Sequence, residues 1–281
     1  MHKSYFQDLF TFLKGTQRKK IPSNSRLFIF DATSMYTTIR IGPALHQVRR
    51  FVLENEKHLD VPLAVLMDVL ILLMTNNVFQ FVDTYWLQTL GTSMRLPPAR
   101  HWATIFFGIY EEAVLAQFRD MLQLYRCFIN NILGIRLVNP KPAGVHRKWT
   151  AFVLLMQDYY RLEWIFEERL KTVNYMDMRI SIRKDRIVTS LYEKLMNLYL
   201  YIPPHSAHPP GVLTGLVAGN ILCIHFLCSY KKDINRRMKE FYAMLLVHSY
   251  QRDLIIPAFT KGITGTCVFI KRVSVRLCTS D

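Results

Sequence analysis

The sequence lacks an uninterrupted apolar stretch long enough to cross a bilayer, which takes about 20 residues in a helix. Its longest apolar runs are Leu63–Met74 and Val212–Cys228. Asp68 interrupts the first run, and Asn220 and His225 interrupt the second. The start of the chain also shows no apolar segment followed by a small-residue cleavage site, as a secretory signal would. We therefore expect no membrane partner and an intracellular location, nuclear or cytoplasmic.

Cysteine and acidic residues are scarce as well. The five cysteines, at positions 127, 223, 228, 267 and 278, are odd in number and irregularly spaced, which argues against a disulfide framework or a disulfide-linked partner. Only 21 acidic residues oppose 36 Lys and Arg, so the net charge is +15 and an anionic partner such as nucleic acid is favoured. A hydrophobic fraction of 51% excludes a disordered or fibrous chain.

Hydrophobic patterning predicts an α+β body over 26–200 and a basic helical region over 211–262, between an N-terminal segment (1–25) and an unassigned tail (263–281). Because residues 62–75 are apolar nearly all round, we expect a helix that is buried on most sides there.

Strand and hairpin signals fill much of the body. A short buried strand is predicted over 26–30, ending at Asp31. Alternating apolar and polar residues from Met176 to Arg183 predict a half-buried strand. A further hairpin is expected over 124–136, with Asn130 and Asn131 as its turn pair, because asparagine suits tight turns.

Three segments, taken in order, carry the chemistry. In the first, Phe28–Tyr36, a strand delivers Asp31 and an aromatic residue follows five positions later. The second is Gln88–Met94, and the third is the hairpin Tyr125–Ile135. This order resembles reverse transcriptases, most closely the branch of Penelope-like retroelements, whose pattern is Asp-x4-Tyr, then Gln-x2-Gly-x2-Met-Gly, then aromatic-x-Asp-Asp. The resemblance covers roughly residues 26–262.

The resemblance implies a fold, an activity and a set of site residues. The fold would be a reverse-transcriptase palm, an antiparallel sheet with helices on one face, followed by a helical thumb. The activity would be templated nucleotidyl transfer with two Mg²⁺ ions, an RNA template and a DNA primer. Asp31 would be the first metal-binding aspartate, and Asn130 and Asn131 occupy the positions of the catalytic Asp-Asp pair. The implied nucleotide-binding residues are Tyr36, Gln88, Gly91 and Met94.

Departures from the family pattern predict that catalysis has been lost. Two of the three carboxylates are replaced by neutral amides, so the field that holds two dications is largely gone. Arg95 replaces the glycine expected after Met94, and Leu195 stands where the family usually has proline. Only 30 residues precede Asp31, so most of the family's fingers are expected to be missing. The sequence thus indicates an inactive remnant of a transposable element that does not bind Mg²⁺ productively.

Two alternatives stay open beside the inactive remnant. One is an active polymerase with altered ligands, which the loss of two carboxylates disfavours. The other is a domesticated module that binds nucleic acid or a partner without catalysis, for which net charge is the main support. The predicted nucleic-acid contacts lie in the thumb-like region, where the same charges could instead form a solvated helix face. They are Lys231, Lys232, Arg236, Arg237 and Lys239.

A zinc site can also be considered in the C-terminal half. His205 and His208 precede Cys223 and Cys228, but their spacing matches no recognised zinc ligand set. We expect no zinc at these residues.

Overall fold

The computed structural model describes residues 20–138, 142–158, 162–194, 201–209 and 211–278, without the side chains of 58, 142–146 and 267–278. Most of the predicted N-terminal segment, Leu195 and residues 279–281 lie outside the described part. The described residues form two compact units, one over 22–170 and one comprising 20–21 and 171–278.

The elements of both units are helices and antiparallel strands, which confirms the predicted α+β class. In chain order the first unit contains β1 (Ser25–Ala32), α1 (Met35–Thr38), α2 (Ile41–Glu54), α3 (Leu63–Thr75), β2 (Val78–Phe81), β3 (Thr84–Leu87), α4 (Ala99–Phe118), β4 (Leu122–Phe128), β5 (Asn131–Leu137), α5 (Pro142–Gln157) and β6 (Trp164–Arg169). The second contains β7 (Thr172–Tyr175), β8 (Met178–Arg183), β9 (Arg186–Leu191), α6 (Val212–Leu227), α7 (Lys231–Val247) and α8 (Arg252–Cys278).

A four-stranded antiparallel sheet organises the first unit, with the strand order β4-β5-β1-β6. Strand β1 forms because aromatic and β-branched residues follow one another between two turns. Its Phe28 and Phe30 are fully buried, and they meet Phe152 of α5 edge to face, with ring centroids 6.0 and 6.2 Å away. Helix α5 therefore packs on the face of the sheet that Phe28 and Phe30 occupy.

Close packing on that face requires a glycine in β5. Gly134 lies opposite Phe28 in the β1–β5 register, and the Phe28 ring occupies the space where a side chain would begin. A Cβ atom on Gly134 would lie 1.9 Å from the Phe28 Cζ atom. The neighbouring Trp149 ring, 5.1 Å from that of Phe28, leaves the phenyl ring little room to turn away.

A buried ion pair links two strands of the same sheet. Arg136 of β5 donates from Nε and Nη2 to one Glu168 carboxylate oxygen of β6, at 3.0 and 2.7 Å. The Arg136 guanidinium also lies 4.4 Å from the ring centroid of Trp149, and its side chain is only 8% exposed. Arg26 approaches the same carboxylate at 3.5 Å. Glu168 is thus the counter-ion of two cations.

The structure corrects three expectations about local structure. Helix α3 forms as predicted, but only Met67 and Met74 in it are buried, so burial on most sides was wrong. The turn of the β4–β5 hairpin lies at Ile129 and Asn130 rather than at the Asn pair, since Asn131 already pairs in β5. The predicted strand from 176 is interrupted by a turn at Met176, which adopts a left-handed φ of 52° between β7 and β8.

The second unit combines a small sheet with helices. Strands β7, β8 and β9 form an antiparallel three-stranded sheet in sequence order. Helices α6, α7 and α8 share a core that includes Ile221, Phe241, Leu245 and Ile255. In the described part of α8 the helix continues through most of the stretch predicted as an unassigned tail. Within the described residues, none of the helices combines the length and apolar character that a membrane crossing needs.

Candidate functional site

Strand pairing brings the first and third predicted segments together. Asp31, near the end of β1, lies directly opposite Asn131 of β5, and Ile165 of β6 lies on its other side. The backbone of Ala32 donates to the carbonyl oxygen of Asn130 at 2.9 Å, which fixes the hairpin turn against the end of β1. The register of the sheet therefore places one carboxylate and two amides at a single point.

The three side chains form a chain of hydrogen bonds. Asn131 Nδ2 donates to Asn130 Oδ1 at 2.9 Å, and Asn130 Nδ2 donates to Asp31 Oδ1 at 2.8 Å. Asn130 Nδ2 also lies 3.2 Å from the carbonyl oxygen of Ala32. Each amide thus turns an N–H group toward the neighbouring oxygen, and the chain of hydrogen bonds ends on the Asp31 carboxylate.

This arrangement does not fit a pair of magnesium ions. Mg²⁺ binds oxygen ligands, usually carboxylates together with water and phosphate. Here a donor group faces the Asp31 carboxylate, and a second donor faces the oxygen of Asn130. Among the residues that the structure describes, no group of three or more His, Cys, Asp or Glu side chains could hold a metal ion. The residues at this site therefore do not fit the two-metal site that the resemblance implies.

The hairpin turn is strained. Ile129 has a φ of 56°, in the left-handed region that a β-branched residue rarely adopts. Such conformations cost about 1–3 kcal/mol and persist where the surrounding structure requires them. The Ile129 side chain packs against the hydrophobic core of the first unit. Asn131 pairs with Phe128 in β4 and with Asp31 in β1, so two residues, Ile129 and Asn130, are left for the turn. Strand pairing therefore imposes the strained turn, and the same pairing places the Asn pair at the end of β1.

The second predicted segment reaches the site through its backbone. Thr92 N donates to the carbonyl oxygen of Tyr36 in α1 at 2.7 Å. Gly91 has a φ of 74°, and a Cβ atom there would lie 2.6 Å from Thr37 Cα. The glycine thus permits close contact with α1 of its own chain. The Gln88 side chain donates to Leu90 O in the same loop, and Met94 is largely exposed.

Arg100, a residue that sequence reasoning missed, adds positive charge beside the site. Arg100 is the second residue of α4, and its guanidinium lies 5.0 Å from the ring centroid of Phe128 at the end of β4. Burial raises the pKa of the Tyr36 phenol, and the charge of Arg100 partly opposes that rise. No motif in the sequence predicts a role for Arg100. The one signal in the sequence is the aromatic residue Phe128 shortly before the Asn pair, because arginine often packs on an aromatic ring.

The five predicted nucleic-acid-binding cations of α7 fall into two groups. Arg236 pairs with Glu240 at 2.8 Å, and Arg237 binds Glu193 and Glu240, each at 2.9 Å, within its own unit. Lys231, Lys232 and Lys239 are exposed. Arg237 is therefore bound by two carboxylates, whereas Arg236 makes an exposed pair within the helix. The three lysines, which make no ion pair among the described residues, are the strongest candidates for phosphate contacts.

The described contacts do not support a zinc site at His205, His208, Cys223 and Cys228. His208 Nδ1 lies 2.6 Å from the Ser206 hydroxyl, and burial raises the pKa of the Cys223 and Cys228 thiols, which disfavours the thiolate that zinc needs.

A double substitution tests the electrostatics of the amide chain. Asn130→Asp with Asn131→Asp would replace both hydrogen bonds by contacts between carboxylates. Two like charges about 4 Å apart cost about 1–4 kcal/mol, depending on the effective dielectric. We expect a lower Tm in metal-free buffer and partial recovery in millimolar Mg²⁺ or Mn²⁺, measured by thermal melts.

The control for that experiment adds the same charge elsewhere. Asn235→Asp with Gln251→Glu places two carboxylates at exposed positions and should change Tm little, with or without metal. A double aspartate variant that melts higher than the parent without metal would contradict the described geometry.

Comparison with known proteins gives structural matches alone: no family model and no curated protein sequence matches. Telomerase from Candida albicans, solved with a TWJ fragment of telomeric RNA, aligns with a TM-score of 0.55 and 9% identity over 90% of this chain and 42% of that chain. The RNA-dependent RNA polymerase of a human picobirnavirus aligns with a TM-score of 0.52 and 13% identity over 88% and 46%. The BmCPV RNA-dependent RNA polymerase at its elongation state aligns with a TM-score of 0.52 and 11% identity over 75% and 20%.

These matches show the fold of the chain. It is a mixed helix and sheet fold like that of telomerase, a reverse transcriptase, and of viral RNA-dependent RNA polymerases. The chain spans less than half the length of each of these proteins.

Proposed function

We propose that this chain is the palm of a reverse transcriptase of the Penelope-like retroelement branch, with thumb-like helices, that has lost catalysis. The observation that carries the proposal is the hydrogen bond from Asn130 Nδ2 to Asp31 Oδ1. In a working two-metal site the groups at these positions must present oxygen to the ions. Here an N–H group is presented to the carboxylate instead.

The remaining features of the site agree with a polymerase ancestry without chemistry. Tyr36 and Gly91 have the residue types and spacing that the resemblance assigns to nucleotide binding, and the hydrogen bond from Thr92 N, next to Gly91, to Tyr36 O supports that assignment. Arg95 adds a cation in the exposed loop where the family has glycine. A single carboxylate cannot neutralise two divalent cations beside a triphosphate. The chain would therefore keep a surface for nucleotides but would not catalyse nucleotidyl transfer.

Primer extension tests the loss of catalysis. With a primed RNA template, deoxynucleotides and Mg²⁺ or Mn²⁺, we expect no product above background from the purified chain. The comparison is with Asp31→Ala, which should behave identically. Templated synthesis that Asp31→Ala abolishes would contradict the proposal and favour an active enzyme with altered ligands.

A second candidate function, nucleic-acid binding without catalysis, is favoured by three exposed lysines. Lys231, Lys232 and Lys239 lie on one short stretch of α7 and make no described ion pair. Phosphate contacts release counterions, so each lost contact lowers the salt dependence of log Kd by roughly 0.9.

Filter binding of an RNA–DNA duplex at two salt concentrations tests this function. Changing all three lysines to alanine should weaken binding at least tenfold at low salt and reduce the salt slope by about 3. The matched control changes Lys57, Lys171 and Lys184 to alanine, three exposed residues elsewhere, and removes the same net charge. Equal losses in both triple variants would show net charge alone and would reject α7 as the binding surface.

A further inference from the structure

A large apolar surface of the first unit takes no part in the site described above. It is formed by α3 and the β2–β3 hairpin, residues 63–87, which we call the apolar arm. The large side chains of the arm that are more than half exposed include these six: Leu72, Phe79, Phe81, Val82, Tyr85 and Trp86. Exposed apolar patches of more than a few hundred Å² mark contact surfaces in soluble proteins.

The apolar arm lies in the longest part of the sequence without a positive charge. Between Leu59 and Met94 there is no Lys or Arg, although the chain contains 36 of them, and three aspartates are present: Asp60, Asp68 and Asp83. Nucleic acid and anionic lipid headgroups both require cations for binding. The arm is therefore unsuited to binding nucleic acid or anionic lipid. Two copies of this +15 chain could meet through the arm without bringing their cations into contact.

The hairpin of the arm also has unused backbone. In the part of the chain that the structure describes, β2 and β3 pair only with each other, and all eight of their residues are exposed. A two-stranded hairpin on its own is marginally stable in water, and its outer edges are ready to pair with another strand. Such an edge favours strand addition from a partner that covers the apolar faces as well.

We infer that the apolar arm is the contact between two copies of this chain, with β3 of one copy pairing antiparallel with β3 of the other about a two-fold axis. The exposed apolar area is large enough for a dimer interface. An aromatic side chain has up to about 250 Å² of surface, so the six side chains together expose on the order of 800 Å², which is about the area that each partner buries in a stable interface. A two-fold contact is closed and gives a dimer rather than a filament.

The test is the mass of the full chain in solution, measured by light scattering or sedimentation over a wide range of concentration. We expect the mass to rise from the 33.1 kDa of one chain to twice that value. Trp86→Lys and Trp86→Asp should each weaken dimerisation at least tenfold, because each buries an unpaired charge at the two-fold contact. An equimolar mixture of the two variants should restore the dimer, since the opposite charges then meet.

Val247→Lys is the matched control, because Val247 is 82% exposed and lies outside the arm; it should dimerise as the parent does. Thermal melts establish that the variants are folded, and exposed substitutions should change stability by about 0.5 kcal/mol or less. Three results would overturn the inference: a monomer at every concentration, growth of the mass beyond the dimer, or a mixture of variants that stays monomeric. A monomer that binds phosphatidylcholine vesicles through Trp86 would assign the arm to a membrane surface instead.

Discussion

Replacing Glu168 with alanine is expected to lower the free energy of unfolding by about 3–5 kcal/mol, the usual cost of leaving a buried charge without its partner. The carboxylate of Glu168 accepts both hydrogen bonds from Arg136, whose side chain is nearly inaccessible to water. Without it the guanidinium would retain its contact with Trp149 but would lie near Arg26, a second cation, with no carboxylate between them. The Tm should fall by several degrees, since 1 kcal/mol shifts it by roughly 2–4 °C in a chain of this size.

The neighbouring residue on the same strand supplies the control. Glu167 pairs with Arg169 at 2.7 Å, but both side chains are substantially exposed. Glu167→Ala should therefore cost less than about 1 kcal/mol. Changing Arg136 and Glu168 together to Met and Leu removes both charges and should recover most of the loss. Similar melts for Glu168→Ala and Glu167→Ala would show that the Arg136 pair is not buried as described.

Gly134→Ala is expected to destabilise the first unit by about 3 kcal/mol, at the upper end of the range for overpacked cores. The new methyl group would lie 1.9 Å from Phe28 Cζ, and Trp149 and Phe152 occupy the space into which the ring would have to move. Thermal or denaturant melts measure the loss.

A second substitution makes the Gly134 prediction specific. Phe28→Leu is also destabilising by itself, but it removes the ring atoms that the methyl group meets. Combined with Gly134→Ala it should cost at least 1 kcal/mol less than the sum of the two single changes, as contacting residues do in double-mutant cycles. Gly42→Ala is the control, because a Cβ atom there meets nothing within 4 Å and alanine favours the helix. Additive effects of Phe28→Leu and Gly134→Ala would contradict the packing.

Local patterns predicted the parts of the fold that depend on neighbouring residues. The strand leading to Asp31 and the hairpin over 124–136 both follow from short-range preferences, and the structure contains each of them. The three ordered segments also led to the juxtaposition of Asp31 with the Asn pair, because strands of one sheet fix the register of their ends. The roles of these residues remain predictions.

Features that depend on distant contacts were missed. Asparagine favours turns, so the Asn pair was placed in the turn, but pairing of Asn131 with both Phe128 and Asp31 moved the turn to Ile129. Because α3 is apolar on every face, its sequence favours burial of every face. The sequence does not indicate whether other parts of the same chain cover those faces, and in the structure only Met67 and Met74 of α3 are buried. The position of Arg100 over Phe128 likewise depends on how α4 meets β4, which no spacing in the sequence encodes.

The hydrogen bond between Asn130 and Asp31 has a consequence for the evolutionary history of such a chain. Restoring an aspartate at position 130 alone would place two carboxylates face to face, and we expect that protein to be less stable than its parent. In the descent that we propose, a return to aspartate at this position would therefore cost stability before the second change could restore a metal ligand, so the fold would favour retention of the amide.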